Sequence, residues 1–175
     1  MKENRKRKRC KGSMIAELPL VLWVLLIVIV FPLIDLGTAF LRVTFLYAGV
    51  HLSSIAAARA NTFLVPLDGK PSAINEASSK LTQVKSAFSG LDVQDVKTEI
   101  LITNNDTQAV SSSSVPLTKQ ADVAINSYQI QVSAVCSAEP LITIPLPLAV
   151  AGLNAPLVFN LNARQYCENP QGLSY

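Results

Sequence analysis

Few residues in this chain could carry chemistry, and most are not arranged for it. There is one histidine, His51, and there are three cysteines, Cys10, Cys136 and Cys167. No CxxC, HExxH, GxSxG or P-loop spacing occurs, so thiol-redox, zinc-hydrolase, serine-hydrolase and nucleotide-phosphate chemistry have no motif to work with. His51 reads as an interfacial or packing residue rather than a ligand. Asp92 and Asp95 read as a solvated polar connection, and Asn105-Asp106-Thr107 is a glycosylation-type triplet of the kind chance supplies often. Glu17 is the exception. A carboxylate within a membrane helix costs about 2.5–3.5 kcal/mol at the bilayer centre and less toward the interface, so it needs a partner or a task. It stands five positions after Gly12, which closes the basic block MKENRKRKRCKG.

That block decides how the charge is read. It holds seven of the fifteen Lys/Arg and one of the twelve acids, which leaves eight basic against eleven acidic residues beyond it. The body is therefore mildly acidic, net −3, although the whole chain is +3. A basic arm could bind nucleic acid. Directly before an apolar run it is more simply a cytoplasmic anchor under the positive-inside rule, and no nucleic-acid partner is expected. Half the chain is hydrophobic and 15% is charged, well under the roughly 25% of an ordinary globular domain.

Leu18 to Ile34 contains no charged residue. Its 17 residues cover about 26 Å as a helix, and Met14–Ala16 or Leu36–Phe40 completes a span of the hydrocarbon core. A secretory signal would have a shorter apolar region closely followed by a small-residue cleavage site. The nearest such sequence, Ala56-Ala57-Ala58, lies far beyond the run, and Cys10 follows arginine rather than small apolar residues. The expected topology keeps the N-terminus inside and residues after about 40 outside, with membrane lipid around the span.

The elements that position these residues follow from periodicity. Ala39, Val43, Leu46, Val50 and Ala57 keep helical spacing past the membrane, which predicts one long helix from about Ser13 to Asn61, disturbed near Pro19 and Pro32. Leu67-Asp68-Gly69-Lys70-Pro71 breaks it. Ile74, Ala77, Leu81, Val84 and Phe88 predict an amphipathic helix stopped by Gly90. Alternation predicts strands over 96–103, 121–136 and 157–167, with a turn at Asn104-Asn105-Asp106 and a mobile serine loop within 107–119. Pro140, Pro145, Pro147 and Pro156 make the last connection extended and irregular. The expectation is an α+β chain with three parts: a basic leader 1–12, a transmembrane and extended helix 13–65, and an outer domain 66–175 with one helix and an antiparallel sheet of about three strands.

Gly12-Ser13 with Glu17 five positions on resembles the processing site of type IV prepilins, where the leader is cut after Gly. Leader, Gly12-Ser13, Glu17, Pro19, Pro32, Asp35-x-Gly37 and the Ala56–Ala60 helix together resemble the TadE/TadF minor pseudopilins of the tight-adherence (Tad, Flp) pilus system. The likeness covers about 50 of the 175 residues. Leu18 stands where major Flp pilins carry Tyr, and the body is far longer than those subunits, so a minor component fits better. The resemblance implies cleavage between Gly12 and Ser13 by a prepilin peptidase. It implies that Glu17 neutralises the new Ser13 amine of a neighbouring subunit, where low dielectric favours the ionised pair. The plain alternative for Glu17 is a headgroup-level position that favours the helix N-terminus. Asp35 either marks the outer membrane boundary or pairs with Arg42 of a neighbouring chain.

With Cys10 in the leader, two thiols remain outside, where oxidising conditions let disulfides persist. Alternation puts Cys136 and Cys167 on core-facing sides of their strands, which predicts a disulfide between them stabilising the domain by about 3–4 kcal/mol. Two buried reduced thiols that merely pack are the alternative. The expected function is structural: a non-enzymatic minor pseudopilin of the bacterial inner membrane, with its outer domain in the periplasm. Its expected partners are a prepilin peptidase, other TadE/TadF-like pseudopilins and the pilus assembly platform, with no cofactor, metal or small-molecule substrate. The second expectation is an uncleaved anchored envelope protein whose outer domain binds a secretion or surface partner.

Overall fold

The structure is a computed structural model that describes residues 13–143 and 147–175, with side chains from Glu17 onward. The leader with its basic block, Cys10 and Gly12, and Pro145 in the last connection, lie outside the described residues.

Helix runs unbroken from Ser13 to Ala58 as α1 (Ser13–Leu25), a π-helical stretch (Leu26–Val30) and α2 (Phe31–Ala58). Pro19 is accommodated inside α1. Pro32 explains the π stretch. Its ring would collide with a carbonyl one α-turn back, and its missing N–H leaves a gap in the ladder. Widening the preceding turn relieves both, and the Phe31 N–H reaches back five residues to the Leu26 carbonyl. At 1.5 Å per residue the helix is about 70 Å long, more than twice the thickness of a hydrocarbon core. One helix among the described residues, Glu17–Ala58, is long and apolar enough to cross a membrane.

The outer domain folds onto the distal half of that helix. α3 (Ala73–Ala87) starts where Ser72 caps the Asn75 N–H and ends as Phe88 turns extended and Gly90 takes φ +76°. Four antiparallel strands follow: β1 (Leu91–Asn104), β2 (Val110–Ser113), β3 (Asn126–Ala138) and β4 (Leu157–Tyr166), in the order β2-β1-β3-β4. β3 alternates strictly, burying Tyr128, Ile130, Val132, Ala134, Cys136 and Ala138. α2 packs on β3, β4 and α3, while α3 packs on β1. Leu46, Val50, Phe63, Leu81, Ile100, Ile130 and Val132 are fully enclosed between them. Burial of each such large side chain contributes about 1.5–3 kcal/mol.

The α+β class holds, with four strands where alternation picks out three. The expected serine loop contains the extra one: Ser111, Ser112 and Ser113 pair with Ile102, Leu101 and Ile100. Serine is a poor strand former, but an edge strand needs only its backbone, and the hairpin turn delivers it. The Asn104 side-chain oxygen accepts from the N–H groups of Asp106 and Thr107 and fixes that turn. β1 also begins earlier than its alternation shows, because a bulge between Gln94 and Lys97, with Asp95 at φ 48°, interrupts the period. Asp92 and Asp95 are thus strand residues rather than a connection.

Past β4, the Glu168 N–H donates to the Ala58 carbonyl and closes the end of α2. The Tyr175 carbonyl accepts from the N–H groups of Phe63 and Leu64. Gly172 lies so near Asn61 that a β-carbon there would stand 1.7 Å from the Asn61 carbonyl oxygen.

Candidate functional site: the membrane helix and its junction with the outer domain

Ser13 lies in the first turn of α1, and Glu17 is exposed one turn further on. Gly12 lies outside the described residues, and with it the expected Gly12–Ser13 cleavage site. From Leu18 to Ile34 the helix presents apolar side chains all round: Leu18, Leu20, Trp23, Val28 and Leu33 are all more than half exposed. Among the described residues, α1 and the π-helical stretch make no extensive contact with the strands or α3. A surface so uniformly apolar belongs in lipid or against other helices.

The junction begins at Asp35, which is fully buried. One carboxylate oxygen, Oδ1, accepts the Ile142 N–H at 2.8 Å, while Oδ2 has no partner among the described residues. Two turns on, Arg42 Nη1 donates to the Glu139 carbonyl. Asp35 and Arg42 share one face of the helix, and together they hold the segment that leaves β3. Arg42 also passes over Gly90, where a β-carbon would sit 2.9 Å from the guanidinium, and the positive φ there favours glycine a second time. The Glu139 N–H in turn donates to the Gly90 carbonyl at 2.9 Å. Both charges of the anticipated Asp35–Arg42 question are therefore engaged on the backbone of their own chain. The i, i+7 spacing of opposite charges is visible in the sequence, but its partner is backbone about a hundred residues away, which no local pattern reveals.

The expected Cys136–Cys167 disulfide is corrected by the sheet register. Both thiols are free. Cys136 stands opposite Phe159 near one end of the β3–β4 pair, whereas the Cys167 N–H meets the Tyr128 carbonyl at the other. Eight strand residues separate the two levels, about 26 Å, against a Cα limit of roughly 7 Å for a disulfide. Alternation correctly gives the face of each cysteine but not its position along the sheet. Burial pushes the Cys136 thiol up to about 11, with the Asp92 carboxylate adding to the effect, and burial also raises Cys167. Both are neutral, weakly nucleophilic thiols at physiological pH.

Most of the other polar side chains among the described residues lie at the surface. The Lys85 ammonium, then the Gln94 amide, hold the Asp92 carboxyl below its usual range through hydrogen bonds at the surface. His51 is exposed on α2. Arg59 and Glu168 form an exposed pair at 2.9 Å, worth little in water. An open groove of about 580 Å³ runs between the end of α2 and the start of α3, and its Arg59, Lys70, Glu76 and Lys80 are of mixed sign. Among the described residues, no group of three or more His, Cys, Asp or Glu could hold a metal ion. Searches against protein-family models, curated proteins and solved structures found no match to this chain.

Proposed function

We propose that this chain is a structural minor pseudopilin of a Tad/Flp-type pilus system. A prepilin peptidase removes the leader between Gly12 and Ser13, and the helix then serves both as membrane anchor and as packing element. The N-terminus lies on the cytoplasmic side of a bacterial inner membrane and the α+β domain in the periplasm. Glu17 of one subunit neutralises the Ser13 amine of the next. The partners are the peptidase, sibling pseudopilins and the assembly platform.

One observation carries most of the weight. Helix continues without a break from Ser13 to Ala58, free of its own domain over the first half and fused to the domain core over the second. That geometry suits a subunit that moves from lipid into a helical bundle while keeping its head rigidly attached. The apolar surface also extends beyond the span, where Tyr47 and Leu52 are both more than half exposed. A tether that merely displayed a domain would gain nothing from such a surface in water.

Replacing Glu17 tests the assembly role. Glu17→Ala removes a charge that opposes insertion, so the variant inserts and accumulates like the wild type, yet piliation is lost. Wild-type piliation by Glu17→Ala would reduce Glu17 to a favourable charge at a helix N-terminus.

A further inference from the structure

From Pro140 to Ala163 the chain carries no Asp, Glu, Lys or Arg. The connection between β3 and β4 turns several apolar side chains outward: Leu141, Leu148 and Val150 are 54%, 75% and 41% exposed. Between Leu148 and Ala155 several backbone groups are hydrogen-bonded within the loop itself. The Val150 N–H donates to Asn154 Oδ1 at 2.6 Å, and Asn154 Nδ2 donates to the Leu148 carbonyl at 2.8 Å. The Gly152 N–H donates to the Ala155 carbonyl at 2.8 Å, and the N–H groups of Leu153 and Asn154 both reach the Val150 carbonyl at 3.1 Å. Apolar side chains outside a turn that bonds much of its own backbone suit a segment where water is scarce.

The same connection is held at a defined depth. Ile142 is bonded to Asp35 and Glu139 to Arg42. Asp35 is the first charged residue after Glu17, and the intervening helix places it about 27 Å away, close to the roughly 30 Å of a hydrocarbon core. At this level the helix surface away from the loop is still apolar, with Leu36 64% and Phe40 71% exposed. The loop is therefore continuous with the lipid-facing surface of the span. It also encloses the carboxylate that would otherwise meet acyl chains.

We propose that the β3–β4 connection, through Leu141, Leu148 and Val150, enters the interfacial region of the bilayer leaflet on the domain's side. The outer domain thereby has a second lipid contact that fixes its orientation on the membrane. This rests on the helix spanning a membrane, as proposed above, and is independent of leader cleavage and of pilus assembly.

Fluorescence of single tryptophans tests it, because Trp23 is the only one in the chain. The full-length protein is reconstituted in vesicles of phospholipids brominated high in the acyl chain, in three forms. The wild type reports on Trp23, Trp23→Phe with Leu148→Trp reports on the loop, and Trp23→Phe with Val110→Trp reports on the far edge of the sheet. Leu148 and Val110 are both well exposed, so either position accepts the larger ring without repacking. The expected result is strong quenching at 23 and at 148, with blue-shifted emission, and neither effect at 110. Quenching at 23 with emission at 148 matching that at 110 overturns the loop insertion while leaving the anchor intact. Absence of quenching at 23 overturns the anchor, and the loop insertion with it.

Discussion

Asp35→Ala is the most informative single perturbation of the junction, because the structure gives both its target and its size. The Ile142 N–H has the Asp35 Oδ1 as its acceptor at 2.8 Å, across the gap between α2 and the β3–β4 connection. Removing a sole acceptor from a buried donor costs about 1–3 kcal/mol, which is roughly 5- to 150-fold in a local opening equilibrium. Ile142 is only half-buried, so the lower part of that range applies. Hydrogen exchange measured by mass spectrometry on the reconstituted protein should show the peptide covering 139–143 exchanging about 5- to 20-fold faster in Asp35→Ala. Amides in the centre of β3 should keep their wild-type rates. Asp35→Asn retains an oxygen acceptor and removes a charge whose second oxygen has no partner among the described residues, so its protection should stay close to wild type. Equal exchange at Ile142 in wild type and Asp35→Ala would refute the clamp. A uniform rise across β3 would show global destabilisation instead.

Three further predictions concern the outer domain. Cys167, half-buried, should alkylate slowly in the folded protein, while Cys136 should react only on unfolding; oxidant should not join them within one chain, and a Cys136–Cys167 cross-link detected by mass spectrometry would contradict the register. Because the folded Cys136 pKa of about 11 lies above its ordinary value of 9.0, the folded state holds that proton more tightly; the associated stability is complete below pH 9 and is lost as pH rises toward 11, so Cys136→Ala should show a shallower alkaline fall in Tm than the wild type. Gly172→Ala places a β-carbon against the Asn61 carbonyl, a backbone atom that cannot swing aside, and should destabilise the domain by about 1–3 kcal/mol or more; an unchanged melting temperature would mean that the contact is not tight.

The residues that spoke clearly from sequence were those under one strong periodic constraint. Along the α2 stripe Ala39, Leu46, Val50 and Ala57 are buried and Val43 is half-buried. Along the α3 stripe Ala77 and Leu81 are buried and Ile74 and Val84 half-buried, but Phe88 is exposed because the helix ends before it. β3 and β4 face the way their alternation says. The rest was obscured where a second influence overrode the period. At Asp95 a bulge broke the alternation of β1, and at Ser111–Ser113 hairpin geometry outweighed poor strand propensity. The cysteines show a different limit: period two fixes a face, whereas a disulfide requires a register, which comes from pairings between distant segments. Asp35 and Arg42 were visible as charges beside a membrane span, but their backbone acceptors and donors in the β3–β4 connection come from tertiary folding alone.

Amino-terminal sequencing of the protein extracted from membranes tests the pseudopilin assignment most directly. In cells that contain the prepilin peptidase, the sequence should begin Ser-Met-Ile-Ala-Glu, starting at Ser13, and in cells lacking the peptidase it should begin at Met1. An intact Met1 terminus in peptidase-positive cells would contradict processing at Gly12–Ser13 and leave an anchored envelope protein in its place.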